Sequence, residues 1–166
     1  AAAMAAGAPN MYSLLISGRA GTGKTHNVTQ ALENAGLDKD VDYIEITGTI
    51  STIGLYKKLF QFKDDKILVF DDADAVFGNE ESRNILKGAL DSKKVRRISY
   101  MKMSKFLYDP KEYMDDPEGE QDQIDAGRVP QYFEFSSKII FISNLEKNKI
   151  DPDGALRSRS ILIDIN

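Results

Sequence analysis

Eight residues near the start of the chain, Gly18-Arg19-Ala20-Gly21-Thr22-Gly23-Lys24-Thr25, have the types and spacing to hold a polyphosphate. A glycine-rich turn lets successive backbone N–H groups close around phosphate oxygens, and the positive end of a following helix adds to the attraction. A lysine at the seventh position reaches the β- and γ-phosphates, and the hydroxyl of the eighth sits on Mg²⁺. The stretch fits G-x-x-x-x-G-K-[ST] without a gap. It lies between the apolar run Tyr12 to Ser17 and the helix-like Val28 to Ala35, the strand-loop-helix setting this motif requires. The expected nucleotide-binding set is therefore Gly18, Arg19, Ala20, Gly21, Thr22, Gly23, Lys24, Thr25 and His26.

A second group of polar residues stands at the ends of other apolar runs. Lys66-Ile67-Leu68-Val69-Phe70 stops abruptly at Asp71-Asp72-Ala73-Asp74. Acids at the carboxyl end of a buried strand lie where ligands gather in open α/β sheets. Asp71 is placed to hold Mg²⁺ together with Thr25, and Asp72 to orient and deprotonate the water that attacks the γ-phosphate. Asp74 reads as a cap or a structural hydrogen-bond partner. Asn144, which closes Lys138-Ile139-Ile140-Phe141-Ile142-Ser143, can present a neutral amide to the γ-phosphate or to the attacking water. Arg157 and Arg159, in a loop near the chain end, are candidates for an arginine finger supplied to a neighbouring subunit's nucleotide.

The elements that must position these residues follow from periodicity. Val28, Ala31, Leu32 and Ala35 recur at helical spacing, with Gly36 at the expected C-cap. Val41 to Thr47 alternates as a strand nearer the sheet edge than its centre, and Thr49 to Thr52 caps a helix through Phe62 whose apolar face is Ile53, Tyr56, Leu59 and Phe60. A further helix begins at Asn79 and buries Ile85, Leu86, Ala89 and Leu90; Gly88 inside it implies close packing there. Lys93 to Lys105 is basic, and its first part can pair with Tyr132-Phe133-Glu134-Phe135, leaving the acidic Asp109 to Asp125 as an exposed loop. Ile161 to Ile165 is a last strand. Strands alternating with helices predict an α/β fold, a three-layer α/β/α sandwich around a mainly parallel five-stranded sheet, with a hairpin insertion at about 94–136.

Composition bounds the rest. The chain has 166 residues, 42% hydrophobic and 29% charged, which suits one globular domain over 12–166 and excludes a disordered chain or a membrane span. It has no cysteine and one histidine, so thiolate chemistry and zinc centres are excluded. A soluble, cytoplasmic protein is expected. A net charge of −4 argues against nucleic-acid binding by the whole surface but leaves a local basic patch open. Residues 1–11 lack the charged and apolar regions of a signal peptide and read as a flexible lead-in or cloning remnant.

The order GRAGTGKT, ILVFDDAD, IIFISN and DPDGALRSRS resembles the AAA+ ATPases from Tyr12 to Ile165. The resemblance implies that Lys24 and Thr25 bind phosphate and Mg²⁺, that Asp71 is the Walker B acid, that Asn144 is sensor 1, and that Arg159 or Arg157 is the finger. It also implies a hexameric ring with sites at subunit interfaces, and a sensor 1 strand between the P-loop and Walker B strands. Two departures stand out. Asp72 occupies the place of the usual catalytic glutamate, one methylene shorter, so slow turnover is expected. The family's helical lid, with its sensor 2 arginine, is missing, so the chain is expected to be a truncated piece with weakened nucleotide affinity and ring assembly.

The function expected from the whole is Mg-dependent ATP hydrolysis driving a ring-forming motor or remodeller on nucleic acid or protein. The loop Thr49 to Gly54, which in this family often faces the pore, lacks the aromatic residue typical of protein-threading unfoldases. The basic flank of the insertion reads either as a phosphate contact or as a solvated charged hairpin, whereas its acidic tip would repel nucleic acid and suit a protein partner or solubility. The alternatives are an ATP-dependent assembly module that hydrolyses poorly and, third, a small-molecule P-loop kinase.

Overall fold

The computed structural model describes residues 12–91, 93–144 and 160–165. The lead-in 1–11 and both candidate finger residues, Arg157 and Arg159, lie outside the described residues. In chain order the elements are β1 (Ser13–Gly18), α1 (Lys24–Asn34), β2 (Tyr43–Ile46), α2 (Thr52–Gln61), β3 (Ile67–Phe70), α3 (Asp74–Phe77) and α4 (Glu80–Ala89). The insertion follows as β4 (Arg96–Ser99), β5 (Leu107–Tyr108), a 3₁₀ turn (Pro110–Tyr113), α5 (Pro117–Asp125), β6 (Val129–Pro130) and β7 (Tyr132–Phe135). The chain then returns to the main sheet with β8 (Lys138–Ser143) and β9 (Ile161–Ile165).

The main sheet has five parallel strands in the order β2-β3-β8-β1-β9. The three central strands are the continuous apolar runs, as burial on both faces demands. They are also the strands that end in the phosphate loop, in Asp71 and in Asn144. On one face Leu14, Ile16, Val69, Ile140 and Ile142 pack with Val28 and Leu32 of α1. On the other, Leu15, Leu68, Phe70, Ile139 and Phe141 pack with Leu55, Tyr56 and Leu59 of α2 and with Ile85 and Leu86 of α4. This gives the expected three layers.

Several elements differ in detail from the sequence reading. Strand β2 is shorter than Val41 to Thr47, because residues 38–42 close a turn in which the Asp42 N–H donates to the Asp38 carbonyl at 2.8 Å. Helix α2 is capped by Ser51, whose hydroxyl accepts from the Gly54 N–H at 3.1 Å. Its buried centre is Leu55, Tyr56 and Leu59, with Ile53 and Phe60 at partly buried margins, since the sheet and the insertion both cover it. The four-residue α3 carries too little sequence for any period to show; it forms by laying Val76 and Phe77 into the core, with the Phe77 ring 5.0 Å from Phe141. At Gly88 a Cβ would stand 3.0 Å from the Arg97 carbonyl oxygen, so α4 lies directly on the backbone of β4.

Within the insertion, β4 and β7 pair antiparallel as expected. The acidic stretch is not an exposed loop. Asp109 caps the 3₁₀ turn through the Lys111 N–H, and Asp116 caps α5 through the Gly119 N–H at 3.0 Å, with Pro117, Glu118 and Glu120 in its first turn. Caps, proline and acids at a helix start are favourable, so the acids build a helix rather than repel one another in a loop. The short parallel pair β5 and β6 closes the base of this excursion. The Tyr56 hydroxyl of α2 donates to the Pro130 carbonyl at 2.6 Å, and its ring meets Tyr100 and Phe133 edge-on at 5.3 and 5.2 Å, fastening the insertion to the core.

In the basic flank Lys93, Lys94, Arg97, Lys102 and Lys105 are exposed, while Arg96 is used structurally. Arg96 is buried, donates to the Ala89 carbonyl at 2.5 Å and to the Ser137 carbonyl, and stacks on Tyr12 and Phe135. Burial pushes its guanidinium down to about 10, still charged at neutral pH. Lys102 pairs with Glu81 at 3.3 Å. These two cations hold the insertion against α4 and against the residue that leads into β8.

Candidate functional site

Strand β1 ends at Gly18 and α1 begins at Lys24; the turn between them is tight enough to require φ values of 81° at Gly21 and 75° at Gly23. A side chain at either would be strained. The first intrahelical bond runs from the Asn27 N–H to the Gly23 carbonyl at 3.0 Å. The N–H groups of Lys24, Thr25 and His26 are left at the helix start, where an anion is favoured.

Lys24 is 5% exposed, and its ammonium folds back into the turn. It donates to the Gly18 carbonyl at 2.8 Å, to the Arg19 carbonyl at 2.7 Å and to Asn144 Oδ1 at 2.9 Å, with Thr22 Oγ1 at 3.4 Å. The Thr22 hydroxyl itself donates to the Arg19 carbonyl at 2.9 Å. Lys24 thus connects the phosphate turn to the end of β8. A second link joins α1 to β3, where the Thr25 hydroxyl donates to Asp71 Oδ1 at 2.8 Å. Asp72 is exposed next to Asp71, with φ of 55°. That left-handed conformation is uncommon for a residue with a side chain, and Asp is among those that tolerate it.

Together these residues line an open cleft of about 250 Å³, walled by Ala20 to His26 of the turn and helix, by Asp71 and Asp72, and by Ile142 and Asn144. Gly18 and Arg19 contribute through their carbonyls to Lys24. The structure therefore brings together the phosphate turn, the strand-end acids and Asn144. Arg157 and Arg159 cannot be placed relative to it. Asp74 is not a helix cap: it stands in the first turn of α3 and accepts from the Ser143 hydroxyl at 2.5 Å. That contact had no local signal in the sequence beyond the polar types of the two residues.

The donor set fits Mg²⁺ and a nucleotide. A hydroxyl and a carboxylate oxygen in contact are hard ligands, and Mg²⁺ is held in nucleotide sites by one or two protein groups plus substrate phosphates. Among the described residues no cluster of three or more His, Cys, Asp or Glu side chains could make an all-protein metal cage. Lys24, the helix start and the glycine turn face the same cleft, where polyphosphate charge would be met.

No protein-family model matches the chain. Over 165 aligned positions it is 32% identical to an uncharacterized 36.7 kDa protein from the nrdC-mobD intergenic region of Enterobacteria phage T4, covering 94% of this chain and 45% of that protein. Among solved structures it matches Thermotoga maritima RuvB, a Holliday junction branch migration motor, at TM-score 0.53, covering 99% of this chain and 41% of RuvB at 14% identity. The chain shares its fold with RuvB. A point variant of the same RuvB gives TM-score 0.54 at 14% identity, covering 99% of this chain and 42% of the other. At such identity the likeness to RuvB is one of fold. The sheet order, with β8 between β1 and β3, is the one that the AAA+ resemblance implies, and the cleft lies at the carboxyl ends of these strands. The chain spans less than half the length of these relatives. No helix among the described residues is long and apolar enough to cross a membrane.

Proposed function

We propose that this AAA+ core binds ATP with Mg²⁺ and hydrolyses it, as the nucleotide-binding part of a ring-forming motor or remodeller. The observation that carries the reading is the pair of contacts Lys24 to Asn144 at 2.9 Å and Thr25 to Asp71 at 2.8 Å, which draws three distant motifs into one cleft. Bound Mg²⁺ would neutralise charge on the β- and γ-phosphates, with Thr25 and Asp71 as the residues that hold it. Lys24 would exchange its bonds to the Gly18 and Arg19 carbonyls for phosphate oxygens, a favourable trade because bonds between ionised partners are the stronger ones. The N–H groups from Gly21 to His26 would receive the remaining oxygens. Asp72, beside the metal-holding Asp71, would accept the proton of the attacking water, and Asn144 would orient that water or the γ-phosphate. Arg159 or Arg157 would act in trans on a neighbouring subunit's nucleotide in a hexamer.

The test is release of phosphate from ATP by this protein with Mg²⁺. Lys24→Ala and Asp72→Asn should each abolish it, and unchanged turnover in both would sink the assignment. The short, exposed Asp72 favours a second reading, an assembly module that binds ATP and hydrolyses it poorly; tight ATP binding with negligible turnover at concentrations that form rings would support that instead. For the macromolecule acted on, the fold likeness to a Holliday junction motor supports nucleic acid. The buried Arg96 and the paired Lys102 support a protein contact for the insertion rather than a phosphate one. Stimulation of turnover by duplex DNA, single-stranded DNA, RNA or unfolded protein, tested side by side, decides between them.

A further inference from the structure

The corner between β3 and α3 is tied to the end of β8 at two points. The Ala73 N–H donates to the Ile142 carbonyl at 3.0 Å, and the Ser143 hydroxyl donates to Asp74 Oδ1 at 2.5 Å. Ser143 is 1% exposed and is the last residue of β8. It immediately precedes Asn144, which accepts from Lys24. Asp74 follows closely on Asp71 and Asp72 at the end of β3. One carboxylate therefore joins the strand end that presents the amide to the strand end that presents the two acids. Ser17, opposite Ser143 in the register of β1 and β8, is equally buried, yet its hydroxyl has no hydrogen-bond partner among the described residues. The tie is thus made to the strand that carries Asn144 and is not repeated on the strand that leads to the phosphate turn.

We propose that Asp74 is a positioning residue for ATP turnover, acting through Ser143 to set Asn144 against the Asp71 and Asp72 pair. The proposal rests on the ATPase reading above. Past Ser143 the backbone leaves the sheet, so the direction of Asn144 depends on what holds the last strand residue. A hydroxyl donating to a carboxylate is a short, strong tether for that purpose, and the Ala73 to Ile142 bond keeps the two strand ends from sliding along one another. Loss of the tether leaves the nucleotide-binding turn, Lys24 and Thr25 in place but lets the groups facing the γ-phosphate drift. The expected signature is a fall in kcat with little change in KM for ATP.

The experiment is steady-state ATP hydrolysis by the wild type, Lys24→Ala, Asp74→Ala, Asp74→Asn, Ser143→Ala and the Asp74→Ala/Ser143→Ala double variant, with thermal unfolding of each. Outer-sphere partners of this kind are worth about 10-fold or more in activity, so Asp74→Ala and Ser143→Ala should each lower kcat about 10-fold. Asp74→Asn, which keeps an oxygen acceptor, should recover most of it, and the double variant should be no worse than either single one. Additive losses, an unaffected kcat in Asp74→Ala, or failure of Asn to rescue would overturn the proposal. Should Asp74→Ala not fold, the contrast between Asp74→Asn near wild type and Ser143→Ala about 10-fold lower carries the same decision. No Lys24-dependent turnover in the wild type would instead overturn the ATPase reading, a result distinct from turnover that is normal and indifferent to Asp74.

Discussion

Two cations show how the same residue type can serve opposite ends. Lys24 is buried against carbonyls and an amide that phosphate oxygens can replace, whereas Arg96 is buried against carbonyls that nothing replaces. Lys24→Ala should therefore weaken ATP binding by about 10- to 100-fold, the equivalent of losing charged hydrogen bonds worth about 1.5 to 3 kcal/mol. Calorimetric titration with a non-hydrolysable analogue measures it, and leaving Tm nearly unchanged would separate this effect from unfolding. Arg96→Ala should do the reverse. It strips donors from the Ala89 and Ser137 carbonyls and opens space between Tyr12 and Phe135, for a loss of about 3 kcal/mol in urea unfolding. Arg96→Lys should keep most of that loss, since an ammonium cannot span both carbonyls as a planar fork does. A midpoint within error of wild type for Arg96→Ala would show that the cluster is not structural.

Among the elements, α4 lies directly against the backbone of β4, because its Gly88 leaves no room between helix and strand. Alanine there gains helix propensity of about 1 kcal/mol but brings its Cβ to 3.0 Å from a backbone oxygen that cannot swing aside. Gly88→Val, larger still and β-branched, should destabilise by about 2 kcal/mol as overpacking does, read from the urea midpoint. A Gly88→Val protein as stable as wild type would mean that β4 can move away from α4. Helix α5 stands at the other extreme. It buries no residue, so its order depends on local caps rather than on a core. Asp116→Ala should remove about 1 kcal/mol of that local stability, seen as faster amide exchange confined to residues 117–126 with the main sheet unaffected.

For the whole molecule the open question is how copies combine. In the proposed reading Arg157 or Arg159 of a neighbouring copy completes the cleft. That arrangement makes a mixing experiment decisive. Lys24→Ala and Arg159→Ala proteins, each inactive alone, should regain part of the wild-type turnover when mixed, because some interfaces then pair an intact phosphate turn with an intact arginine. If Arg159→Ala is fully active, the finger role passes to Arg157 and the same experiment is run with that variant. If neither variant loses turnover, sites shared between subunits are ruled out.

The sequence alone determined those features that are written within a few consecutive residues. The phosphate turn is a local motif. The three central strands are unbroken apolar runs whose burial on both faces follows from their composition, and the polar residues at their ends mark the cleft. The helix caps at Ser51 and Asn79 and the close approach at Gly88 were legible in the same way. Tertiary structure decided what depends on residues far apart in the chain. The bond from Lys24 to Asn144 spans 120 positions, and no local pattern encodes the distance between them. The tie from Ser143 to Asp74 likewise exists only because β8 inserts between β1 and β3. Nothing local singles out Arg96 from the other cations of the basic flank; two carbonyls and two rings, all but Ala89 far from it in sequence, make its burial tolerable. The acidic stretch reads as a loop in sequence because it is left over from the hairpin pairing and shows no apolar period; at a helix start its acids and prolines are caps and favourable partners of the dipole.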